Sequence, residues 1–263
     1  MCHRDRPRRP STFTPAVALA LVVAAGACAP TDDSAPEAAA DAMTSSFTDR
    51  VAQYSSVRLT ADLSTLSDAD RSVVRHLIQA VEPMDSVFWK QAWGDRAAIL
   101  EQAGDDDALR TYIEINYGPW DRLAGDAPFI DGIGPKPAGA RFYPEDMTDA
   151  EFEAASETRA AVRSLYTMVE RGDDGDLVAR PYHEVFAEEH RVAAAHLRAA
   201  AEAAEDPGLR TYLSLRADAL ETDDYQPSDM AWLDMKDNAV DVVIGPIETY
   251  EDQRYGLKAA HEG

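Results

Sequence analysis

Residues 67–94 read SDADRSVVRHLIQAVEPMDSVFWKQAWG, and the spacing of their apolar side chains predicts a helix. Ser67 followed three positions later by Asp70 is typical of a helix N-terminal cap. The apolar residues that share one helix face are Val73, Val74, Leu77, Ile78 and Val81. Pro83 is expected to end or kink this helix, because proline has no N–H to donate. A second apolar group continues helically to Gly94.

Other segments predict further helices. Shorter helices are expected over residues 95–103 and 106–116. Thr148 and Glu151 have the spacing of a capping box. The side chains expected on one face of the helix that follows are Val162, Leu165, Tyr166 and Val169. Apolar periodicity over 181–204 and 209–220, separated by a turn, predicts an antiparallel helix pair.

The β component is predicted to be small. Residues 240–244 are rich in β-branched side chains and predict one buried strand, which Gly245 and Pro246 would end. Residues 117–146 interleave glycine with proline, which predicts an ordered loop or a few short strands. The polar turn at 173–176 is compatible with a short hairpin. The expected fold class is therefore mainly α with a small β component (α+β).

The first 28 residues predict export. Residues 1–27 combine four arginines near the start with an uncharged apolar run over 16–25, as in a signal peptide. That run is shorter than the roughly 20 residues that a membrane-spanning helix needs. The small residues before Cys28 resemble the lipobox of bacterial lipoproteins. We expect a membrane-anchored lipoprotein, periplasmic or on the cell surface, with lipid on Cys28; the alternative is ordinary cleavage with Cys28 there by chance.

The rest of the chain divides in two. Residues 28–46 are rich in alanine, serine, aspartate and proline, which predicts a flexible tether. Residues 47–263 are expected to form one mostly helical region. The other cysteine, Cys2, lies in the segment predicted to be removed, so no disulfide is expected. An apolar core must therefore stabilise this region.

Charge excludes one class of partner. The chain has 48 Asp and Glu against 25 Lys and Arg, a formal net charge of −23, and the basic residues after position 27 do not cluster. Nucleic-acid binding requires a basic face that displaces counterions from the phosphates. We therefore exclude nucleic acid as a partner.

One pair of histidines invites a zinc interpretation. His183 is followed by Glu184, as in the HExxH helix of zinc peptidases, but the second histidine of that motif would stand where Ala187 does. His190 lies two turns further on, roughly 10 Å along a helix axis. Both rings would have to come within about 2 Å of the same zinc ion. No metal site is expected in this chain.

The last forty residues carry a specific resemblance. Residues 248–256 read ETYEDQRYG and are followed by the Glu262-Gly263 pair. With the earlier segments FWKQ at 88–91, NYGPWD at 116–121 and FYP at 142–144, they resemble the dipeptidyl peptidase III family of zinc exopeptidases, in its shorter bacterial branch. His261 departs from the family pattern, which usually has an aromatic residue there. The resemblance implies the amino-terminal half of a two-lobed, zinc peptidase-like fold.

The resemblance also implies roles. In the complete family protein Glu248 and Glu262 would bind the free amino group of a short peptide substrate. The hydroxyl of Tyr250 would assist catalysis from the same strand face, because side chains two residues apart on a strand point the same way. The family's zinc ligands lie downstream of this motif, so the chain is expected to be an incomplete and by itself inactive peptidase. A non-catalytic, surface-tethered ligand-binding lipoprotein is the alternative.

Overall fold

The computed structural model describes residues 46–263. The predicted signal peptide and Cys28, and all of the predicted tether except Ser46, lie outside this range. Within it nine α-helices and six short strands are present. The helices are α1 Phe47–Val51, α2 Asp68–Ala92, α3 Arg96–Gln102, α4 Asp107–Asn116, α5 Asp149–Thr158, α6 Tyr182–Val185, α7 Ala187–Ala203, α8 Pro207–Thr222 and α9 Gln226–Asp234.

The strands form three separate antiparallel pairs. These are β1 Trp120–Asp121 with β2 Ala127–Pro128, β3 Thr167–Arg171 with β4 Leu177–Pro181, and β5 Gly245–Glu248 with β6 Ala260–Glu262. The expected class, mainly α with a small β component, is confirmed. No helix among residues 46–263 combines the length and the apolar character needed to cross a membrane.

The long helix α2 begins as predicted and does not end where predicted. The hydroxyl of Ser67 accepts a hydrogen bond from the N–H of Asp70, and the Asp70 carboxylate accepts one from Ser67 N–H. Pro83 lies inside the helix, which continues to Ala92. Buried residues on both sides of the proline, such as Ala80 and Met84, pack into the interior. This burial offsets the hydrogen bond that proline cannot make.

Helices α2, α7 and α8 enclose the largest apolar cluster, which we call the helical core. The predicted antiparallel helix pair corresponds to α7 and α8, which pack against each other. Helix α7 also packs against α2. Leu77, Leu197 and Tyr212 are completely or almost completely buried at their contact. A second cluster, the hairpin core, includes Val87, Phe142, Phe152 and Leu177. A third, the tryptophan core, is built around Trp89, Ile99 and Ile113.

The segment after α5 differs from the prediction. The capping box of Thr148 and Glu151 forms, but α5 ends at Thr158 and is followed by a 3-10 turn at Ala160–Arg163. Val162 and Val169 are therefore not on one helix face. Val169 belongs to the β3–β4 hairpin, which confirms the compatible hairpin at the 173–176 turn. Their burial in the hairpin core explains why both positions are apolar.

The strand predicted at 240–244 is also displaced. The strand is Gly245–Glu248, beginning at the glycine that was expected to end it. Carbonyl groups in 240–244 are satisfied by side chains instead of a strand partner: Tyr212 donates to Val242 O and Arg216 to Ile244 O. Val240 and Ile244 still pack into the helical core, which accounts for the β-branched composition.

Candidate functional site

The β5–β6 pair brings two of the three predicted site residues together. Glu262 pairs with Gly245 and Glu248 pairs with Ala260 across the two strands, with a bulge between Pro246 and Glu248. Both carboxylates are exposed. Strand pairing thus brings residue 262 next to residue 245, although the loop between the two strands is longer than in a tight hairpin.

Tyr250 is placed differently from the sequence expectation. The strand ends at Glu248, and Tyr250 lies in a turn, so the simple alternation of strand faces does not apply to this pair. Its side chain is 81% exposed. Tyr250 therefore does not pack under the helices, and its hydroxyl is accessible from solvent.

The two glutamates influence each other electrostatically. The pKa of Glu262 is raised from its ordinary value, first by partial burial and second by the negative charge of Glu248. The negative charges of these two carboxylates on paired strands repel each other, and a bound cation would relieve that repulsion. The pair is therefore suited to a positively charged group such as an amine.

An open cleft of about 490 Å³ lies beside Glu262. Helix α2 forms one wall and the end of β6 the other, with the ring of Tyr117 at the side. Glu82 and Asp85 add two more carboxylates, and the ring of Phe88 meets the ring of Tyr117 edge to face, with centroids 4.7 Å apart. The cleft thus combines negative charge with an aromatic wall.

Buried polar contacts attach β6 to α2. The side-chain oxygen of Gln91 accepts a hydrogen bond of 2.8 Å from His261 N–H, and its amide nitrogen donates to Ala259 O. The Nε2 atom of His261 lies 2.9 Å from the Nε2 atom of His190 on α7. Gln91, His190 and His261 are all buried. They fix the strand that carries Glu262.

The turn after Tyr250 is anchored by two consecutive acidic residues. Glu251 accepts hydrogen bonds from both terminal nitrogens of Arg122, at 2.9 and 3.2 Å, and its carboxylate lies 2.8 Å from the ammonium of Lys136. Asp252 accepts a hydrogen bond of 2.7 Å from the Tyr143 hydroxyl. Both carboxylates are buried, whereas their neighbour Tyr250 is exposed.

Sequence reasoning did not find this anchoring. Glu251 and Asp252 are two acidic residues in a chain that has many, and their partners Arg122, Lys136 and Tyr143 lie more than 100 positions earlier. The available signal is the Gly/Pro-rich composition of residues 117–146, which predicts an ordered loop. This segment carries the three partners.

The histidines of the rejected zinc motif have other contacts. His183 Nδ1 lies 2.9 Å from the carboxylate of Asp223, while His190 contacts His261. Within residues 46–263 no group of three or more His, Cys, Asp or Glu side chains is arranged to hold a metal ion. The described residues therefore do not fit a zinc site.

Two solved structures share this architecture. Dipeptidyl peptidase III from Caldithrix abyssi is 42% identical, with a TM-score of 0.76 over 81% of this chain. Dipeptidyl peptidase III from Corallococcus sp. strain EGB is 34% identical, with a TM-score of 0.77 over 82%. The chain is dipeptidyl peptidase III-like. It spans 42% of the length of each of these two structures.

The curated proteins add one distant relative. An Arabidopsis thaliana protein named Nudix hydrolase 3 is 27% identical to the dipeptidyl peptidase III-like chain, in an alignment that covers 84% of this chain and 36% of that protein. The name of that protein refers to its full length, and this chain is similar to only 36% of it. No protein-family model matches the chain.

Proposed function

We propose that this chain supplies the part of a dipeptidyl peptidase III-like metallopeptidase that binds the amino terminus of a short peptide. The observation that carries the proposal is the pair of exposed carboxylates, Glu248 and Glu262, on neighbouring strands, of which Glu262 lines an open acidic cleft. The relationship to dipeptidyl peptidase III structures supports peptides as the ligand class.

The amine is bound by charge. A peptide amino group is protonated below pH of about 8. It would donate charge-assisted hydrogen bonds to the carboxylates of Glu248 and Glu262, and such bonds are shorter and stronger than neutral ones. The pKa of Glu262 is raised first by partial burial and second by the charge of Glu248, and a bound amine would offset the repulsion between the two carboxylates. The rest of the peptide would extend along the cleft between α2 and β6.

Tyr250 acts on the carbonyl of the peptide bond to be cleaved. Its exposed hydroxyl would donate a hydrogen bond to the carbonyl oxygen, where negative charge develops as the bond is attacked. Glu248, two residues earlier, would position the peptide relative to this hydroxyl.

Zinc is not assigned to these residues. The family resemblance implies zinc in the complete protein, whereas the described part of this chain offers no fitting ligand cluster. The roles proposed for Glu248, Glu262 and Tyr250 therefore concern binding, orientation and hydrogen bonding by the chain itself.

Calorimetric titration of the full chain with tetra-alanine tests the proposal. Free tetra-alanine should bind, and N-acetylated tetra-alanine should bind much more weakly because acetylation removes the positive charge. Glu248→Gln and Glu262→Gln should each lower the affinity for the free peptide by about 10-fold to 100-fold, the range for losing a hydrogen bond to a charged group. Glu202→Gln, an exposed glutamate of α7 outside the cleft, is the matched control.

The outcomes separate the two functional hypotheses. Equal affinity for free and acetylated peptide would refute amine recognition by this site. A ligand-binding lipoprotein of another kind would bind neither peptide, and its affinity for other ligands would not depend on Glu248.

We propose in addition that residues 1–27 direct export and that Cys28 carries the lipid that anchors the protein to a membrane. The sequence pattern of a basic start, a short apolar run and small residues before Cys28 supports this. Peptide binding would then take place in the periplasm or at the cell surface.

A further inference from the structure

In the turn that carries Tyr250, an exposed residue is followed directly by two buried acidic residues, Glu251 and Asp252. Tyr250 is 81% exposed, while the next residue, Glu251, is 6% exposed. Burying a carboxylate costs free energy unless it is paired and hydrogen-bonded. A site that keeps such a residue beside an exposed tyrosine has a use for the contacts it makes.

The partners of Glu251 form a closed charge network. Arg122 binds both carboxylate oxygens of Glu251, and the Lys136 ammonium contacts one of them. A carboxylate oxygen of Asp126 lies 3.6 Å from the same Lys136 ammonium. The two cations and two anions balance. The Lys136 and Glu251 side chains are each 6% exposed, so this ion pair is buried, whereas Arg122 and Asp126 at its edge are 35% and 23% exposed. Burial tends to raise the pKa of Glu251, but the opposing effect of Arg122 and Lys136 is larger. The pKa is therefore lowered from its ordinary value, and the carboxylate stays charged.

Arg122 is fixed from behind. Its backbone N–H donates to the side-chain oxygen of Asn116, and its Nε donates to the Asn116 carbonyl, both at 2.9 Å. Asn116 is the last residue of α4 and is buried. One of the two cations that bind the Glu251 carboxylate is therefore itself held by the end of a helix.

Asp252 performs the matching task on the other side of the turn. Besides the Tyr143 hydroxyl, its carboxylate accepts hydrogen bonds from the N–H groups of Leu257 and Lys258, at 2.9 and 3.0 Å. Lys258 leads directly into β6, which carries Glu262. Asp252 thus ties the Tyr250 turn to the second amine-binding strand.

We propose that Glu251 and Asp252 are positioning residues: bound to Arg122, Lys136 and Tyr143, they hold the turn so that Tyr250 faces the peptide at a fixed distance from Glu248 and Glu262. This inference rests on the proposed function for its meaning, and on the contacts of the turn for its geometry. Neither side chain touches the peptide.

Fluorine NMR of the full chain labelled with 3-fluorotyrosine tests this directly. The resonance of Tyr250 is assigned by its absence in Tyr250→Phe. Glu251→Gln keeps the shape of the side chain and removes its charge. We expect the Tyr250 resonance to shift or broaden, and the affinity for tetra-alanine to fall roughly 10-fold, because small misplacements of a site residue are costly. Both measurements are made where circular dichroism shows a native helix content.

A matched control and a second variant keep the test decisive. Glu145→Gln removes another arginine-paired glutamate, one that contacts Arg141 outside the turn, and should leave the Tyr250 resonance unchanged. If Glu251→Gln does not fold, Lys136→Met removes one partner of Glu251 while the Arg122 pair remains, and should also shift the resonance.

An unchanged Tyr250 resonance and unchanged peptide affinity in a folded Glu251→Gln or Lys136→Met protein would overturn the inference. Failure of the proposed function is distinguishable, because it would show as absence of amine-dependent binding in the wild-type chain. The shift of the Tyr250 resonance does not depend on any peptide.

Discussion

The Nε2 atoms of His190 and His261 lie 2.9 Å apart in the interior, a distance at which one ring must donate a hydrogen bond to the other. His190 Nδ1 lies 2.6 Å from the carbonyl oxygen of Leu220, so Nδ1 carries the hydrogen and donates it. The Nε2 atom of neutral His190 is then an acceptor, and His261 must donate. A proton added to His190 would place two N–H groups against each other.

Acid should therefore weaken the fold through this pair. Burial lowers the pKa of His190 to about 4 and that of His261 well below its ordinary value. In the unfolded chain histidines take up protons near pH of about 6.5, so between these values the unfolded state binds more protons. Stability is full above pH of about 6.5 and falls as pH drops towards about 4, by roughly 3 kcal/mol for His190 alone.

Urea unfolding at several pH values measures this dependence. The double variant His190→Leu with His261→Phe should lose most of the slope between pH of about 6.5 and about 4. His196→Asn, a change at a partly exposed histidine of the same helix, should keep it. The same slope in the double variant as in the wild type would contradict the assignment.

The raised pKa of Glu262 predicts a second pH effect. Glu248→Gln removes the negative charge that is the second cause of the shift, so the pKa of Glu262 should fall towards its ordinary value. A carbon-detected NMR titration of the side-chain carboxyl groups measures it. Tetra-alanine binding to the wild type should strengthen as pH rises through the pKa of Glu262, because only the ionised carboxylate attracts the amine.

Metal content provides a third prediction. The dialysed full chain should retain far less than one zinc per molecule, because the histidines of residues 46–263 pair with Asp223 and with each other and form no ligand cluster. Elemental analysis of the wild type and of His183→Ala decides the point. One tightly bound zinc that disappears in His183→Ala would show that α6 contributes a ligand.

Lipidation of Cys28 is a fourth prediction. Cells that express the full chain and are fed radioactive palmitate should incorporate label into the wild type and not into Cys28→Ala. The reason is that a lipid thioether and its acyl chains require the cysteine sulfur. Fractionation of the two proteins into membrane and soluble parts is the companion measurement. Equal labelling would refute lipid attachment at Cys28 and leave export as a separate question.

Helix starts were predictable because their signals are local. Ser67 with Asp70 and Thr148 with Glu151 each place a hydroxyl and a carboxylate three residues apart, and both capping boxes form. The spacing that suffices for a cap does not reach far enough to decide where a helix stops. Pro83 did not end α2 because tertiary packing outweighed the local preference.

The misplaced strand has a different cause. Residues 240–244 have the composition of a strand, but no strand in the described part of the chain, residues 46–263, pairs with them. Tyr212 and Arg216, both on α8, take up their carbonyl groups instead. The strand begins at Gly245 because that is where β6 lies alongside. Strand pairing depends on distant partners, and sequence periodicity contains no information about which partner will be present.

The candidate site was predictable in the same uneven way. Glu248, Tyr250 and Glu262 were predicted through a resemblance of motifs; the structure exposes all three and places Glu248 and Glu262 on two paired strands. The residues that hold them were not found. Glu251 is 129 positions from Arg122, and no local pattern distinguishes a buried, paired glutamate from a solvated one.

Helix α2 has a consequence for how the protein unfolds. It contains 25 residues, about 37 Å of helix, and contributes Leu77 to the helical core, Val87 to the hairpin core and Trp89 to the tryptophan core. A helix shared in this way cannot fray at one end without loosening its neighbours. The three clusters should therefore unfold as one cooperative unit, so that the calorimetric enthalpy of unfolding matches the van't Hoff value. A substitution that destabilises any one cluster should also destabilise the cleft.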